Sequence, residues 1–447
     1  MTQALETTLD SYLARFEALQ KESAGHGPAW LLPLRKAAIS RFAELGFPTR
    51  RDEEWRFTNV TPITQASFTP AGRPETLPAA ADLQRVAFEG APFHRLVFVN
   101  GFYASSLSSP DLPQGVRAGS LAEALEADSE LIERHLGRYA SFENAPFVAL
   151  NTAFFEDGGF VHIPRGVIIE QPIHLLYLSI GEKERTVAHP RTLIVAEENS
   201  QATIVESYAG FGDGEILTNA VTEIVLGENA VVDHYKLQRE GEKAFHVATQ
   251  QVHLSRTSNF SSHSITLGGA IVRNDINAVL GGEGGECTLN GLYLASGKQL
   301  VDNHTAIDHA MPHCDSHELY KGILDGQARG VFNGKIFVRQ DAQKTDAKQT
   351  NQTLLLSGKA QINTKPQLEI FADDVKCTHG ATIGQLQPEA LFYLRSRGIG
   401  EEDARSLLIY AFASDIIGRI KIEPIREQLN ALLLARLPVA HRMEGVL

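Results

Sequence analysis

Cysteine is scarce in this chain: there are three in 447 residues, Cys287, Cys314 and Cys377. An odd number spread over one stretch makes no disulfide framework. The thiols are expected to be reduced, and either buried or available to a metal. Long apolar runs are missing as well. No stretch approaches the roughly 18–20 residues that a membrane span requires. Positive charge is in deficit, with 41 Lys and Arg against 54 Asp and Glu and a net charge of −13. A net-acidic chain with no Lys/Arg block is a poor general nucleic-acid binder, because neutralising phosphates supplies most of that affinity. The opening MTQALETTLD carries acids where a secretory signal carries basic residues and then an apolar run, which points to the cytoplasm.

Motifs of nucleotide and metal chemistry are absent too. The chain contains no G-x-x-x-x-G-K-[ST], no GxGxxG following a strand, no HExxH and no Cys-x-x-Cys. The glycine-rich GGEGGE (281–286) lies between strand-like segments with no helix behind it, and reads as a turn. The chain itself is therefore expected to bind no nucleotide.

With 43% hydrophobic residues the chain can bury a large core, and its texture changes along its length. Residues 1–140 are mixed and largely helical. Leu9, Tyr12, Leu13, Phe16 and Leu19 recur at helical spacing, and LLPLRKAAISRFAELG (31–46) does the same and stops at a glycine. RVAFEG and FHRLVFVNG read as short strands, and a helix is expected near 119–139. Residues 147–386 lose helical spacing and run as short alternating segments punctuated by Gly, Asn, Asp and Ser. A turn-like element recurs as NSQATIV (199), ENAVVDH (228), TSNFSSH (257) and GGECTLN (284), a spacing within the range of solenoid coils. The fold class is thus mainly β: a β-helix core flanked by helical N- and C-terminal regions. Residues 387–447 return to helix. Leu407, Leu408, Ala411, Phe412 and Ile416 form one stripe, and Ile425, Leu429, Leu432 and Leu433 a second. These stripes pack on each other or on the β domain, or else they dock another subunit.

Two clusters of soft donors stand out. NHTAIDHAMPHCDSHELYKG brings His304, His309, His313, Cys314 and His317 into one short stretch, though its spacing matches no closed zinc module. Solvated turns or hydrogen-bonded core histidines explain the same residues. In LEIFADDVKCTHGATIG (368–384), Cys377 and His379 are two apart on a strand and share one face with Val375, Ala381 and Ile383. Side by side they can hold one metal ion and leave positions for a partner's ligands. A core cysteine beside a hydrogen-bonded histidine is the plainer account. The parity predicts that this face is packed rather than solvated. Asp373 and Asp374 supply only hard oxygen ligands or solvated turn charges.

Several long segments in the same order resemble the SufB/SufD family, the scaffold subunits of the SUF iron–sulfur cluster assembly machinery. GFPTRRDEEWRFTNV (46–60) is similar to the family's G-x-P-x-x-x-x-E-x-W-[RK]-[FY]-T element. FVALNTAFFEDGGFVHIPRGVIIEQPIHLLY (147–177) and NHTAIDHAMPHCDSHELYKGIL (303–324) resemble further shared segments. DVKCTHGATIG (374–384) and EALFYLRSRGIGEEDARSLL (389–408) look more like the SufD branch than the SufB branch. The resemblance implies a right-handed parallel β-helix and a non-catalytic scaffold role. It implies pairing with SufB and docking of the ATPase SufC by the C-terminal helices, in a complex of one SufB, two SufC and one SufD. It further implies that a transient iron–sulfur cluster forms at the SufB interface, with His379 the iron-facing group and Cys377 its neighbour. His309, His313, Cys314 and His317 are weaker metal candidates. Flavin binding is left open, and a homodimer is expected when SufB is absent. Two other readings are a SufB-like chain that pairs with itself and a β-helix carbohydrate enzyme. The second fits poorly with the lack of an acidic cluster.

Overall fold

The computed structural model describes residues 2–22, 27–88, 92–181, 185–212 and 214–437, leaving aside the side chains of residues 2–8, 22 and 80. Strand accounts for 40% of the chain and helix for 26%, so the fold is mainly β, a parallel β-solenoid of about seven turns with helices before and after it.

Two sheets face each other across the solenoid, and consecutive strands alternate between them. The first sheet runs through Arg191–Ala196, Ile216–Leu226, Phe245–Leu254, Ile271–Leu280, Leu300–His309, Arg329–Val338 and Gln361–Ile370. The second runs through Ile173–Ile180, Gln201–Phe211, Val231–Arg239, Asn259–Thr266, Glu286–Ala295, Asp315–Leu324, Asp346–Leu355 and Lys376–Gly384. All these pairings are parallel and in register. In the first sheet, Leu217, Phe245, Ile271, Leu300, Arg329 and Gln361 occupy one column, at intervals of 28, 26, 29, 29 and 32 residues. The recurring turn element in the sequence is this coil repeat. Parallel strands with both faces covered need inward side chains that stack on themselves. Val232, Phe260 and Cys287 do so in one column, and Ile224, Val252, Ala278, Ile307 and Ile336 in another. The turns between coils are tight. At Gly282 in GGEGGE a Cβ would come within 2.1 Å of the Arg256 amide nitrogen of the previous coil, which explains the glycine there.

The segments before residue 155 cover the first coils. Leu31–Leu45 is a helix that ends at Gly46, whose φ of 65° terminates it as the sequence suggests. His94–Val99 extends the second sheet beside Ile173–Ile180. Of the RVAFEG segment, residues 85–88 are described and form no strand, and Glu89 and Gly90 lie outside the described residues. Arg85 and Val86 close the helix Ala80–Val86, whose Leu83 packs on Val97 and Val99, so tertiary contact overrides local β-propensity. The helix expected near 119–139 is two short helices, Leu121–Ala127 and Ser129–His135, broken at Asp128.

One buried ion pair locks this region to the solenoid. Arg191 and Glu223, both fully buried, lie 2.5 Å apart, and Glu223 also accepts the backbone N–H groups of Gly137, Tyr139 and Ala140. Removing one partner of such a pair strands the other charge. Glu223→Ala should therefore cost about 3–5 kcal/mol, read as a lowered chemical-denaturation midpoint; an unchanged midpoint would contradict the lock.

After the solenoid, Glu401–Ile417 and Glu423–Ala435 lie on the outer face of the second sheet. Ile409, Ala413, Ile416, Ile425, Leu429 and Leu433 pack on Val205, Tyr235, Leu237, Ile265 and Leu292. Of the first stripe, Ile416 is fully buried and Phe412 packs on the same cluster, Leu407 and Leu408 are partly covered, and Ala411 is exposed. Ala404, Ile409 and Ala413 complete the buried line, and Lys321 of the sheet holds Asp415 at 2.7 Å. The preceding helix, Pro388–Ser396, buries none of its residues, and its Phe392 and Tyr393 are 73% and 58% exposed.

Candidate functional site: the uncovered last coil

Among the described residues, no further strand pairs with the last coil of the solenoid. Gln361–Ile370 and Lys376–Gly384 are the terminal strands of their sheets, each paired on one side only. Ile370, Phe371 and Ile383 stand exposed around this edge. Unpaired strand edges with apolar neighbours are a template for another chain, and natural solenoids normally cover them. The connecting turn is ordered: the Asp374 backbone N–H donates to Gln343 Oε1 at 2.9 Å, and the Asp374 carboxylate receives Lys344. Asp373 is an exposed turn charge.

Cys377 and His379 lie on the last strand. Register identifies their direction: Cys377 is opposite Ala347 and His379 is opposite Gln349. Ala347 and Gln349 are buried in the bore, so the column carrying Cys377, His379, Ala381 and Ile383 faces the bore too. The expectation that this face is packed is corrected here. His379, Ala381 and Ile383 are exposed, because no further coil of the described residues lies over them; Cys377 is half-buried on the cluster that contains Ala372 and Ile336. Burial pushes the Cys377 thiol up, with Asp346 adding to the rise, so it rests as the thiol.

Beneath His379, the same column continues through Gln349 to Glu318. Gln349 Nε2 donates to Glu318 Oε2 at 2.8 Å. Burial pushes the Glu318 carboxyl up to about 7, against the hydrogen bond from Gln349 and the nearby Thr305 hydroxyl. These two polar residues escaped sequence reasoning. The signal that finds them is the coil interval, 30 and then 31 residues back from His379, and local strand alternation does not reveal it.

The histidine-rich stretch is spread over both sheets. His309 points into the bore, its Nε2 2.8 Å from Ser316 Oγ, and burial lowers its pKa to about 4. His313 occupies a turn at φ 58°. Cys314 is fully buried, donates its thiol to Gly282 O at 3.3 Å, and is held protonated by burial. His317 is exposed on the outer face of the second sheet. His304 lies on the outer face of the first, where it joins a network with the N-terminal segment: Nε2 is 3.1 Å from Asp302 and Nδ1 is 3.1 Å from Glu54. Arg273 binds Asp302 at 2.7 Å, donates to Glu54 O, and stacks 4.3 Å over Trp55, while Thr58 donates to Asp302 at 2.5 Å. The DEEWRFT segment thus works as a clamp on the outside of the solenoid. Among the described residues, no three His, Cys, Asp or Glu are grouped to hold a metal ion. Cys377 and His379 at the open end are thus at most two donors of one site.

Fold and site together define a parallel β-solenoid protein whose last coil is left open. Two family models cover almost the whole chain: the SufBD protein N-terminal region matches residues 6–175, and the SUF system FeS cluster assembly, SufBD core domain matches residues 179–412. The chain belongs to the SufBD family of the SUF iron–sulfur cluster assembly system. It is 36% identical over 442 residues to an iron–sulfur cluster assembly SufBD family protein of Synechocystis, covering 96% of each chain. It is 32% identical over 408 residues to the iron–sulfur cluster assembly protein SufD of Escherichia coli, covering 91% of this chain and 93% of that one. SufD of Bacillus subtilis is 27% identical over 446 residues, covering 97% of this chain and 99% of the relative.

Two measurements check the site. Glu318 binds a proton more tightly folded than unfolded, so native stability should fall as pH rises from the unfolded carboxyl value to about 7, then level off. Glu318→Gln removes that loss and should be the more stable by about 3 kcal/mol at alkaline pH but not in mild acid; parallel pH profiles would contradict it. Alkylation of the native chain should label Cys377 and spare the buried Cys287 and Cys314; label on either buried thiol would refute the placement.

Proposed function

We propose that this chain is the SufD-type scaffold subunit of an iron–sulfur cluster assembly complex, pairing with SufB through its open last coil. The observation that carries this reading is that terminal coil, with two half-paired strands and His379 in the bore-facing column. The SufD names of the Escherichia coli and Bacillus subtilis relatives support it. The complex contains one SufB, two SufC and one copy of this chain. SufC hydrolyses ATP, and this chain neither binds nucleotide nor catalyses a reaction. It docks SufC through the helices after residue 387, where the unburied helix Pro388–Ser396 offers Phe392 and Tyr393. The complex works in the cytoplasm; no helix among the described residues is long and apolar enough to cross a membrane. Without SufB, two copies of this chain cover each other's open ends as a homodimer.

Iron and the growing cluster are cargo at this interface. Imidazole is a suitable iron donor, and a coordination sphere shared between two chains lets a cluster form and leave. Sulfur arrives as a persulfide on SufB. His379 faces the iron, and Cys377, protonated and half-buried, lines the site beside it.

Co-expression with the SufB and SufC of the same organism tests the scaffold role. Purification should yield the one-two-one complex by mass; a chain that stays apart from both would overturn the reading. Within that complex, His379→Ala should abolish cluster formation and leave assembly intact. Wild-type cluster yield would remove His379 from the role. Cys377→Ala should retain most of that yield.

A further inference from the structure

A side chain in a parallel ladder lies directly over its counterpart in the coil below, about 4.8 Å away. In the last three coils the column through Glu318, Gln349 and His379 is polar throughout. Glu318 and Gln349 are 4% and 1% exposed, deep in the bore. The Gln349 amide is wedged against Gly334 of the opposite sheet, where a Cβ would come within 2.4 Å of Nε2. In the structure Gln349 Nε2 donates to Glu318 Oε2 at 2.8 Å, the one orientation of the amide that an ionised Glu318, which holds no donor, accepts. That commits Nε2 to the coil below and leaves Oε1 as the other end of the amide. Gln349 Oε1 is buried and has no hydrogen-bond partner. Glu318 Oε1, Asn351 Oδ1 and Thr353 Oγ1 of the same coils are likewise without partners, so what sets Gln349 Oε1 apart is its place in the column next to the open end. The next group in its column is the imidazole of His379.

A histidine that ligates a metal through one ring nitrogen gives its other N–H to a fixed acceptor, which selects the tautomer and aims the ligating lone pair. We propose that Gln349 is the positioning residue for His379: its free Oε1 accepts the ring N–H that faces the bore and turns the opposite nitrogen toward the metal at the partner interface. Glu318 acts one step further back, fixing which way round the Gln349 amide stands. The proposal rests on the reading of His379 as the iron-facing group. It adds an internal support that the exposed strand alone does not provide.

The test reads the tautomer of His379 in the full chain without metal, by ¹³C and ¹⁵N chemical shifts of labelled histidine, with the resonances identified by their loss in His379→Ala. The neutral ring should be a single tautomer in the parent chain and a mixture in Gln349→Met, which keeps the volume and removes the acceptor. Glu318→Leu removes the acceptor that holds Nε2, frees the amide to turn and should give the mixture. A merely structural role would move stability in these variants and leave the tautomer alone. In the complex with SufB and SufC, Gln349→Met should weaken binding of Fe²⁺, used alone as the probe, by roughly 10–100-fold. An unchanged tautomer in Gln349→Met and in Glu318→Leu would overturn the proposal. Cluster formation surviving His379→Ala would sink the iron-facing reading instead, so the two failures are distinguishable.

Discussion

The in-register parallel backbone ladder is the constraint on which everything else here depends. Each coil satisfies its amides and carbonyls on the coil before it and offers the other half to the coil after it. Side chains are thereby forced into columns, so a residue's surroundings are decided by positions some 26–32 residues away more than by its neighbours in sequence. A ladder of this kind has no natural end. It must be covered, bent away or left as a docking edge.

This chain treats its two ends differently. Around the first coils the ladder passes into added strands and helices, held by buried charges such as Arg191 and Glu223 and, further along, by the clamp of Trp55, Arg273 and Asp302. At the other end the C-terminal helices fold back over the side of the second sheet, and among the described residues the last rungs are bare. The two donors, Cys377 and His379, sit on that bare rung and face the bore. A partner that adds the next rung would cover the exposed apolar rim and bring its own ligands over His379 in one movement.

Much of this was legible in the sequence, and the limits have physical causes. Turn elements at coil spacing announced a solenoid, because each coil must reverse at the same place. Alternation placed Cys377 and His379 on one face correctly. It also predicted that face to be packed, and erred, since alternation says which residues point inward and cannot say that the ladder stops above them. RVAFEG looked like a strand, but Val86 and Leu83 are drawn into a helix over the sheet. The histidines of 304–317 adjoin in sequence, and reading them as turn and hydrogen-bonded core residues holds for His313 and His309. In a solenoid, His304 faces out of one sheet, His309 into the bore and His317 out of the other sheet. Conversely, Glu318 and Gln349 lie far from His379 in sequence and under it in space.

The central claim is that the open coil is where SufB completes this chain. A photo-crosslinking amino acid in place of the exposed Ile383, in the chain co-expressed with SufB and SufC, addresses it most directly. The account predicts a covalent product joining residue 383 to SufB, identified by peptide mass. SufB that co-purifies in full yield yet never crosslinks from 383, while crosslinking from the helix bearing Phe392, would contradict it.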